Sequence, residues 1–362
     1  MLKLLTEVCS IPTAPFAEQY VVRYVEKFVA ARRGLKLSRD PAGNLLLELK
    51  SKKRGPRWIF AAHMDHPGFV ARRMIDARTL EADFRGWVHI DYVRGTRVRF
   101  CNADGTEVTG VVTEATSTRH DRLTVPDKVR VRVSGRVDAV VPGMFDQGPG
   151  RVRGNKFWSR GIDDQGGLAS ALAMIDAVHR SSSKVNVAVL LTRAEEEGFV
   201  GAIAAVLKPK LLRKSDRIIA IECSAEQPYA RQGDGVIIRV GDKTAIFNSS
   251  LTYFLTEQAE ALAKKDKSFK FQRALMPGGT CEATVYDAWG YSAAAVCVPL
   301  GNYHNMDRAK KKIAAEYIDI GDWTNMVKLF VHLARTGNEF RRDNSVLRAR
   351  VMKRYNRLKR HL

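Results

Sequence analysis

The chain has 362 residues, of which 45% are hydrophobic and 27% are charged, and its formal net charge is +21. This composition is typical of a globular protein, and the length suffices for one large or two ordinary domains. The chain has no run of the ~18 apolar residues that a membrane span needs, and its first residues lack the long apolar segment of a signal peptide. We therefore expect no membrane partner.

Short apolar runs alternate with helical patterns along much of the chain, which predicts an α/β fold with a central mixed β-sheet flanked by helices. The predicted strands, several of them apolar almost throughout, are Leu45–Leu49, Arg57–Ala62, Val185–Leu191, Arg217–Ile221 and Ser292–Val298. The predicted helices, which show apolar periodicity, are Ala17–Ala31, Gly167–His179, Leu251–Lys264 and Asp322–Arg335.

Residues 71–154 have a different pattern. They are rich in Val, Thr, Gly, Asp and Arg, and strand-length alternation is interrupted by turn signals such as Asn-Ala-Asp-Gly. We expect a small all-β domain here, inserted into an α/β domain that is made of residues 1–70 and 155–362.

The C-terminal residues are strongly basic. From Arg335 to Leu362 there are ten Lys or Arg residues against two acidic residues. Five apolar residues in this segment have helical spacing: Leu347, Val351, Tyr355, Leu358 and Leu362. They predict a basic amphipathic helix over about 341–362, which we expect to pack on the body with its basic face in solvent. The alternative is an arm that binds nucleic acid, an acidic surface or a sister subunit, and nucleic acid is not favoured.

The five cysteines are scattered, odd in number and without C-x-x-C spacing: Cys9, Cys101, Cys223, Cys281 and Cys297. Buried, reduced thiols explain this pattern, and we therefore predict a cytoplasmic protein.

Polar residues follow several predicted strands at the point where each strand ends. His63-Met64-Asp65 comes directly after the strand Arg57–Ala62, and open α/β sheets place ligand sites beyond the carboxyl ends of strands. A carboxylate two residues from a histidine can fix the tautomer of a metal-binding imidazole. A lone histidine at this point would more often be structural.

Two acidic clusters add to this pattern. Asp163-Asp164 precedes Gln-Gly-Gly and a helical run, where either residue could cap the helix or the pair could bridge two cations. Glu195-Glu196-Glu197 follows an apolar strand. Three adjacent carboxylates repel one another, so a positive group is expected nearby, and a general base beside a metal ligand fits better than a solvated loop.

Two further candidates are Glu222, at the end of a strand, and His304, which follows the strand Ser292–Val298. Together the five sites supply histidine nitrogens and carboxylate oxygens, which suit zinc first, cobalt second and manganese less well. They offer too many ligands for one tetrahedral zinc ion. They fit two divalent ions that share one carboxylate.

The order of these motifs resembles that of the dinuclear metallo-aminopeptidases, most of all the glutamyl and tetrahedral (TET-type) aminopeptidases, also described as deblocking aminopeptidases or endoglucanases. The motifs are His-x-Asp, Asp-Asp-x-x-Gly, Glu-Glu-x-Gly-x-x-Gly-Ala, an acidic residue and a histidine. The resemblance spans nearly the whole chain and includes the position of the inserted domain between His63 and Asp163. In the related carboxypeptidase and deacylase family, the extra domain lies between the last two ligands instead.

The resemblance implies a role for each of these residues. His63 and Glu222 would hold one metal, Glu196 and His304 the other, and Asp163 would bridge them. Asp65 would orient His63, and Glu195 would be the general base. A one-residue slip, with Glu196 as base and Glu197 as ligand, stays open. The resemblance also implies a cis peptide bond between Asp163 and Asp164.

The chain departs from the family pattern at several positions. His66-Pro67-Gly68 replaces an acidic residue and an aliphatic residue before the glycine, and we assign His66 no role. Gln165 stands where the family usually has Arg, and Cys281-Glu282 stands where it has Asp. Glu222 occupies a position that is often Asp in the family. The metal-ligand residue types are kept at all five positions.

The predicted activity is hydrolysis of a peptide bond next to a free N-terminus by a metal-activated water, with peptides as substrates and a homo-oligomer as the working form. A related amidohydrolase would use the same metals on an acylated amino acid or on a C-terminal residue, but the position of the insertion argues against it. A non-catalytic basic binding protein on the same fold is the other alternative, although such a protein would usually have lost some ligands.

Overall fold

Helices and strands alternate along most of the chain in the computed structural model, which describes residues 1–49, 55–120, 123–181, 185–337, 340 and 345–361. The helices are α1 (Leu2–Val8), α2 (Gln19–Ala30), α3 (Gln165–Arg180), α4 (Val200–Leu207), α5 (Ser249–Lys265), α6 (Glu282–Ala288), α7 (Ile320–Thr336) and α8 (Ser345–Leu358). The strands up to the middle of the chain are β1 (Leu35–Arg39), β2 (Leu45–Leu49), β3 (Trp58–His63), β4 (Gly68–Met74), β5 (Thr79–Arg85), β6 (Arg97–Cys101), β7 (Glu107–His120), β8 (Leu123–Val133), β9 (Pro142–Phe145), β10 (Arg151–Arg153) and β11 (Lys156–Ser159). The later strands are β12 (Val187–Thr192), β13 (Arg217–Ala225), β14 (Val236–Gly241), β15 (Phe271–Leu275), β16 (Ser292–Gly301), β17 (Met306–Asp307), β18 (Lys312–Ile313) and β19 (Glu316–Asp319).

The larger sheet has four parallel strands at its centre. Strands β12, β3, β13 and β16 lie side by side in that order. Antiparallel strands extend the sheet on both sides, with β2 and β1 beyond β12, and β19, β11 and β10 beyond β16. Because the central strands are parallel, their carboxyl ends meet at one edge of the sheet, where open α/β sheets bind ligands.

Both faces of this sheet are buried, as strand β3 illustrates. Phe60 and Ala62 point into the core that also contains residues of α3 and α7. Ile59 and Ala61 point into the opposite core, which contains residues of α4 and α6. A strand covered on both faces has apolar side chains at every position, which explains the unbroken apolar run in the sequence. The predicted strands and helices are present with ends shifted by a few residues, and the predicted fold class is confirmed.

The second sheet is a closed antiparallel barrel in the order β4-β5-β8-β7-β6-β9. Its core includes the rings of Phe69, Phe84, Phe100 and Phe145, with Phe69 within 6.2 Å of the other three between ring centroids. The barrel strands run from Gly68 to Phe145, whereas the predicted insertion covers residues 71–154. After the barrel the chain returns to the large sheet through β10.

The C-terminal segment forms the predicted helix, α8, but the expectation that its apolar face packs on the body is wrong for the described residues. The apolar side chains of α8 are 38–57% exposed from Leu347 to Leu358. Residues 341–344 and Leu362 lie outside the described part of the chain. Among the described residues, no helix combines the length and apolarity needed to cross a membrane.

Candidate metal centre

The predicted site residues lie at the edge of the large sheet where the parallel strands end. His63 is the last residue of β3, and Glu222 lies near the end of β13. Glu195 and Glu196 form a 3-10 turn after β12, and His304 lies in a 3-10 turn after β16. Asp163 directly precedes Asp164, which caps α3 by accepting a hydrogen bond from the N–H of Gly167 at 3.0 Å. The capping role thus belongs to Asp164, and Asp163 faces the site.

The carboxylate of Asp163 lies between two histidines. Its Oδ1 is 3.8 Å from Nε2 of His63, and its Oδ2 is 3.6 Å from Nε2 of His304. Two groups of potential ligand atoms therefore share Asp163. Asp163 with His63 and Glu222 forms one group, and Asp163 with Glu196 and His304 forms the other, each with its ligand atoms within 4.8 Å of one another.

Both histidines present Nε2 to this cluster. Nδ1 of His63 lies 3.1 Å from the carbonyl oxygen of Asp65, and Nδ1 of His304 lies 2.8 Å from that of Trp87. A carbonyl can only accept a hydrogen bond, so each Nδ1 carries a proton and Nε2 is the nitrogen that a metal ion would bind. This is the usual arrangement of metal-binding histidines.

The cluster has buried polar atoms without hydrogen-bond partners. They include Oδ1 of Asp163 and Oε1 of Glu222, and also Oε1 of Glu196 and Nε2 of His304, which face each other at 3.2 Å without a hydrogen bond. Buried polar atoms in proteins are rarely unpartnered, so these atoms need a ligand. All of them are metal-donor types, and they lie within the two groups described above. The residues therefore fit two divalent cations.

The charges in the cluster also require a cation. Burial and the neighbouring Glu222 and Glu196 raise the pKa of Asp163 well above its usual value. Burial raises the pKa of Glu195 in the same way, although His63 opposes the shift. Burial alone would lower the pKa of His63, but the charge of Glu195 and the hydrogen bond with Asp65 raise it well above its usual value. Each shift has the sign expected for a site with excess negative charge.

The three consecutive glutamates point to different places. Oε2 of Glu195 lies 3.8 Å from Nε2 of His63, and Oε1 of Glu196 lies 3.2 Å from Nε2 of His304. Glu197 instead accepts a hydrogen bond from the N–H of Gly86 at 2.7 Å, and its other oxygen is 3.6 Å from Arg85. The first two glutamates therefore face the cluster, and the third contacts the barrel.

Glu316, His66 and Glu18, to which the sequence analysis gave no role, hold the loops that carry the candidate metal ligands. Glu316 makes three of these contacts. The buried carboxylate of Glu316 accepts hydrogen bonds from the N–H groups of Ile162 at 2.6 Å, Asp163 at 3.1 Å and His304 at 2.8 Å. It therefore fixes both the bridging loop and the His304 turn. No local pattern marks Glu316, because its partners lie at least 12 residues away.

His66 and Glu18 act in a similar way, and the expectation that His66 has no role does not fit its contacts. His66 is fully buried, and its two ring nitrogens contact the carbonyl of Asp163 and, at 2.9 Å, Oδ1 of Asn305. Glu18 accepts a hydrogen bond from the N–H of Ala194 at 3.0 Å and pairs with Arg193 at 2.7 Å. The sequence could have indicated His66, because it directly follows the His-x-Asp motif. No sequence pattern indicates Glu18.

The backbone around the cluster is unusual at two points. The peptide bond between Asp163 and Asp164 is cis, as the resemblance implies. Asn302, His304 and Asn305 adopt left-handed backbone conformations, with φ of 53°, 55° and 60°. Such conformations in residues other than glycine cluster at functional sites.

A cavity of about 340 Å³ opens onto the cluster. Its lining combines cluster residues with Trp87, Phe199, Met306, Lys243 and Arg308. A smaller chamber adjoins it, and the two share Glu222, Tyr303 and the segment 278–280. The small chamber is also lined by Arg239, which is 3% exposed.

Arg239 makes few hydrogen bonds for a buried cation. Nη1 donates a hydrogen bond to Oγ of Ser224 at 3.1 Å, and its Nε has no partner. No ion pair of Arg239 occurs in the described part of the chain. The charges of Glu222 and Asp242 act on this guanidinium without a direct ion pair, and its position on the chamber wall suits an anionic group.

Comparison with known proteins supports the resemblance seen in the sequence. Residues 43–320 match the model of the M42 glutamyl aminopeptidase family. A comparison with curated proteins found no match.

Solved structures with a similar fold come from several organisms. A TET1 peptidase of Pyrococcus horikoshii, which can assemble into a tetrahedron or a large octahedral shell, is 20% identical with a TM-score of 0.75, covering 92% of this chain and 98% of its own. An aminopeptidase of the archaeon Desulfurococcus kamchatkensis is 21% identical with a TM-score of 0.73, at 92% and 94% coverage. An endoglucanase of Thermotoga maritima is 17% identical with a TM-score of 0.65, at 92% and 97% coverage.

The family match covers most of the chain, including all of the predicted site residues, and the folds agree over most of their length. The chain therefore belongs to the M42 glutamyl aminopeptidase family and is a metal-dependent aminopeptidase.

Proposed function

We propose that the chain removes N-terminal residues from peptides with the help of two divalent metal ions. In this proposal His63 and Glu222 hold one ion, Glu196 and His304 hold the other, and Asp163 bridges them. The position of Asp163 carries the proposal, because each of its two oxygens faces a different histidine. Nitrogen and carboxylate donors favour zinc, with cobalt next and manganese less well suited.

Glu195 is the proposed general base. Bound metal ions would lower the pKa of a water towards ~7 and polarise the scissile carbonyl. The carboxylate of Glu195 then accepts a proton from the attacking water and passes it to the leaving amine. Its raised pKa, caused first by burial, makes the carboxylate a stronger proton acceptor than an exposed glutamate.

Asp65 has a positioning role in this proposal. The carbonyl of Asp65 orients His63, and its carboxylate accepts hydrogen bonds from the N–H groups of Glu195 and Glu196. The acidic cluster also explains the preference for a free N-terminus, since a protonated amine would bind there and an acylated one would not.

We further propose that the enzyme prefers an acidic N-terminal residue, as the name of the family indicates. Arg239 supports this proposal because its buried guanidinium lines the chamber beside Glu222 and has no acidic partner among the described residues. Lys243 and Arg308 add positive charge to the larger cavity. A substrate side chain with a carboxylate would be attracted by all three cations.

We propose that the protein forms a homo-oligomer, because the TET1 peptidase of Pyrococcus horikoshii can assemble into a tetrahedron or a large octahedral shell. The division into an α/β catalytic domain and an inserted β domain also remains our proposal. Five cysteines, all buried and unpaired, support a reducing cytoplasmic compartment.

The first test is metal content by elemental analysis, together with a panel of free and N-acetylated aminoacyl amides. We expect two metal ions per chain and cleavage of the free amides alone. Glu195→Gln should abolish turnover while it keeps both metals, and Glu197→Gln is the matched control because Glu197 faces the barrel. Cleavage of the acetylated amides would instead assign an amidohydrolase. An absence of bound metal together with an absence of turnover after zinc or cobalt is added would overturn the proposal.

A further inference from the structure

Helix α8 exposes a continuous apolar stripe. The stripe consists of Leu347, Val351, Tyr355 and Leu358, whose exposed fractions are 38%, 57%, 50% and 52%. Their spacing of four, four and three residues places them on one face of the helix. None of them belongs to a hydrophobic core of the described residues. A stripe of this kind on a helix that has already folded indicates a binding face.

The same helix is exceptionally basic. Helix α8 contains five Lys and Arg residues, Arg348, Arg350, Lys353, Arg354 and Arg357, and the 3-10 turn that follows adds Lys359 and Arg360. Residues 345–361 contain no acidic residue. With 3.6 residues per turn, Arg350 and Arg354 flank the stripe on one side, and Arg348 flanks it on the other. The partner must therefore offer negative charge on both sides of an apolar zone.

In the described part of the chain, α8 contacts the body through Arg350 on its flank. Nη1 of Arg350 lies 4.0 Å from Oε2 of Glu260 and 3.5 Å from the hydroxyl of Tyr253, both on α5. This contact involves one of the seven cations. The remaining cations and the stripe stay available to a partner.

We propose that α8 binds the surface of a membrane that contains anionic lipids. The stripe would enter the boundary between headgroups and acyl chains, and the flanking Lys and Arg side chains would contact lipid phosphates and carboxylates. Helices of this composition lie in the plane of the interface and need no spanning segment. This proposal departs from the expectation of no membrane partner, which rested on the absence of an apolar segment long enough to span a membrane or to serve as a signal peptide.

Two other partners fit less well. A second copy of α8 would match the stripe but would bring seven further positive charges against it, which repel. A nucleic acid would neutralise the charges but would leave the apolar stripe in water. An anionic lipid surface satisfies both features at once.

The test is flotation of the full-length protein with phospholipid vesicles. Vesicles of phosphatidylcholine alone are compared with vesicles that also contain phosphatidylserine. We expect binding to the second kind only, decreasing as salt rises. Val351→Gln with Leu358→Gln, and separately Arg348→Gln with Arg354→Gln, should each weaken binding by at least about tenfold. Lys36→Gln with Arg153→Gln is the matched control, because it removes two exposed charges outside α8.

Each alternative outcome would overturn the proposal. The absence of binding to phosphatidylserine vesicles would do so directly. One such outcome has two parts: the Val351 and Leu358 variant binds vesicles as tightly as the natural protein, and a single-stranded RNA oligonucleotide competes with the vesicles. The partner is then a polyanion that does not contact the stripe. If that variant changes only the particle mass measured by light scattering, the stripe joins copies of the chain. The readout is independent of peptidase activity and of metal content.

Discussion

The carboxylate of Asp65 holds the backbone of Glu195. Oδ1 of Asp65 accepts a hydrogen bond from the N–H of Glu195 at 3.0 Å, and Oδ2 accepts one from the N–H of Glu196 at 3.1 Å. Asp65 is fully buried, and it lies in the segment that joins β3 to the barrel. The carboxylate of Asp65 therefore sets the positions of the proposed base and of a proposed metal ligand. The backbone carbonyl of Asp65 contacts His63.

Asp65→Asn should lower kcat by about 10²-fold. An asparagine can accept from only one of the two N–H groups and would turn its own NH₂ group towards the other. KM should change far less, since Asp65 does not line the cavity. Steady-state kinetics with a metal analysis check this. A kcat within about twofold of the natural value would contradict the positioning role.

Glu316→Gln should weaken metal binding without loss of the fold. The variant loses acceptor capacity for the three N–H groups of Ile162, Asp163 and His304. We expect about 10- to 100-fold weaker metal binding, because residues that orient ligands have effects of this size. Titration with zinc in a competing chelator measures the change. Glu114→Gln on the barrel surface is the control, since Glu114 is 64% exposed in its side chain.

Metal should stabilise the fold strongly. Without cations, the carboxylates of Asp163, Glu195 and Glu222 lie buried next to one another, which raises the free energy of the native state. A metal concentration of 1,000 times Kd should add about 4 kcal/mol to the free energy of unfolding. Thermal unfolding of chelator-treated protein with and without added zinc tests this. Asp163→Asn should show a much smaller increase, and an equal increase would contradict the bridging role.

Arg239→Met should remove the preference for acidic residues. We expect kcat/KM for a glutamyl substrate to fall by about 10- to 100-fold relative to a glutaminyl substrate of the same shape, because a charged hydrogen bond is lost. The glutamyl-to-glutaminyl ratio isolates the role of charge from any general loss of activity. Metal content serves as the control, since Arg239 lines the same chamber as Glu222. An unchanged ratio would assign Arg239 a structural role.

Glu282 should make stability depend on pH. Burial raises its pKa to about 7, and its Oε1 has no hydrogen-bond partner. The unfolded chain loses this proton near pH ~4.3, whereas the folded protein keeps it until about pH 7. The contribution of Glu282 to stability is therefore greatest below pH ~4 and falls as the pH rises to about 7, by roughly 3 kcal/mol.

Glu282→Gln should abolish this part of the pH dependence. Chemical unfolding of the metal-free protein and the variant between pH 5 and pH 8 gives the difference between the two curves. The natural protein should lose stability relative to the variant as the pH rises. A difference that stays constant over this range would show that Glu282 is already ionised in the folded state and would contradict its raised pKa.

Features that depend on residues close together in the chain could be predicted from the sequence. The apolar run Trp58–Ala62 and the helical periodicity of Gly167–His179 predicted their elements because a strand buried on both faces is apolar at every position, whereas a helix repeats every 3.6 residues. His63, Asp163 and His304 stood out because each lies at the end of a strand or the start of a helix. The turn-rich stretch after Gly68 likewise predicted a separate β structure, which the barrel confirms.

Contacts between segments that are distant in the chain could not be predicted from the sequence. Glu316, His66 and Glu18 each hold backbone groups of loops that lie at least 12 residues away, and a buried carboxylate looks the same in the sequence wherever its partners are. The separate orientations of Glu195, Glu196 and Glu197 also depend on the barrel, which contacts Glu197 through Gly86.

The amino-acid sequence by itself determined the α/β fold, the inserted β structure and the residue types of the proposed metal centre, because periodicity and strand ends are local properties. The tertiary structure decided which oxygens face which histidines, which buried groups support them, and that the stripe of α8 stays in solvent. The physical reason is that hydrogen bonds and burial depend on the approach of distant segments. An amphipathic pattern shows that a helix has an apolar face, but only packing decides what covers it.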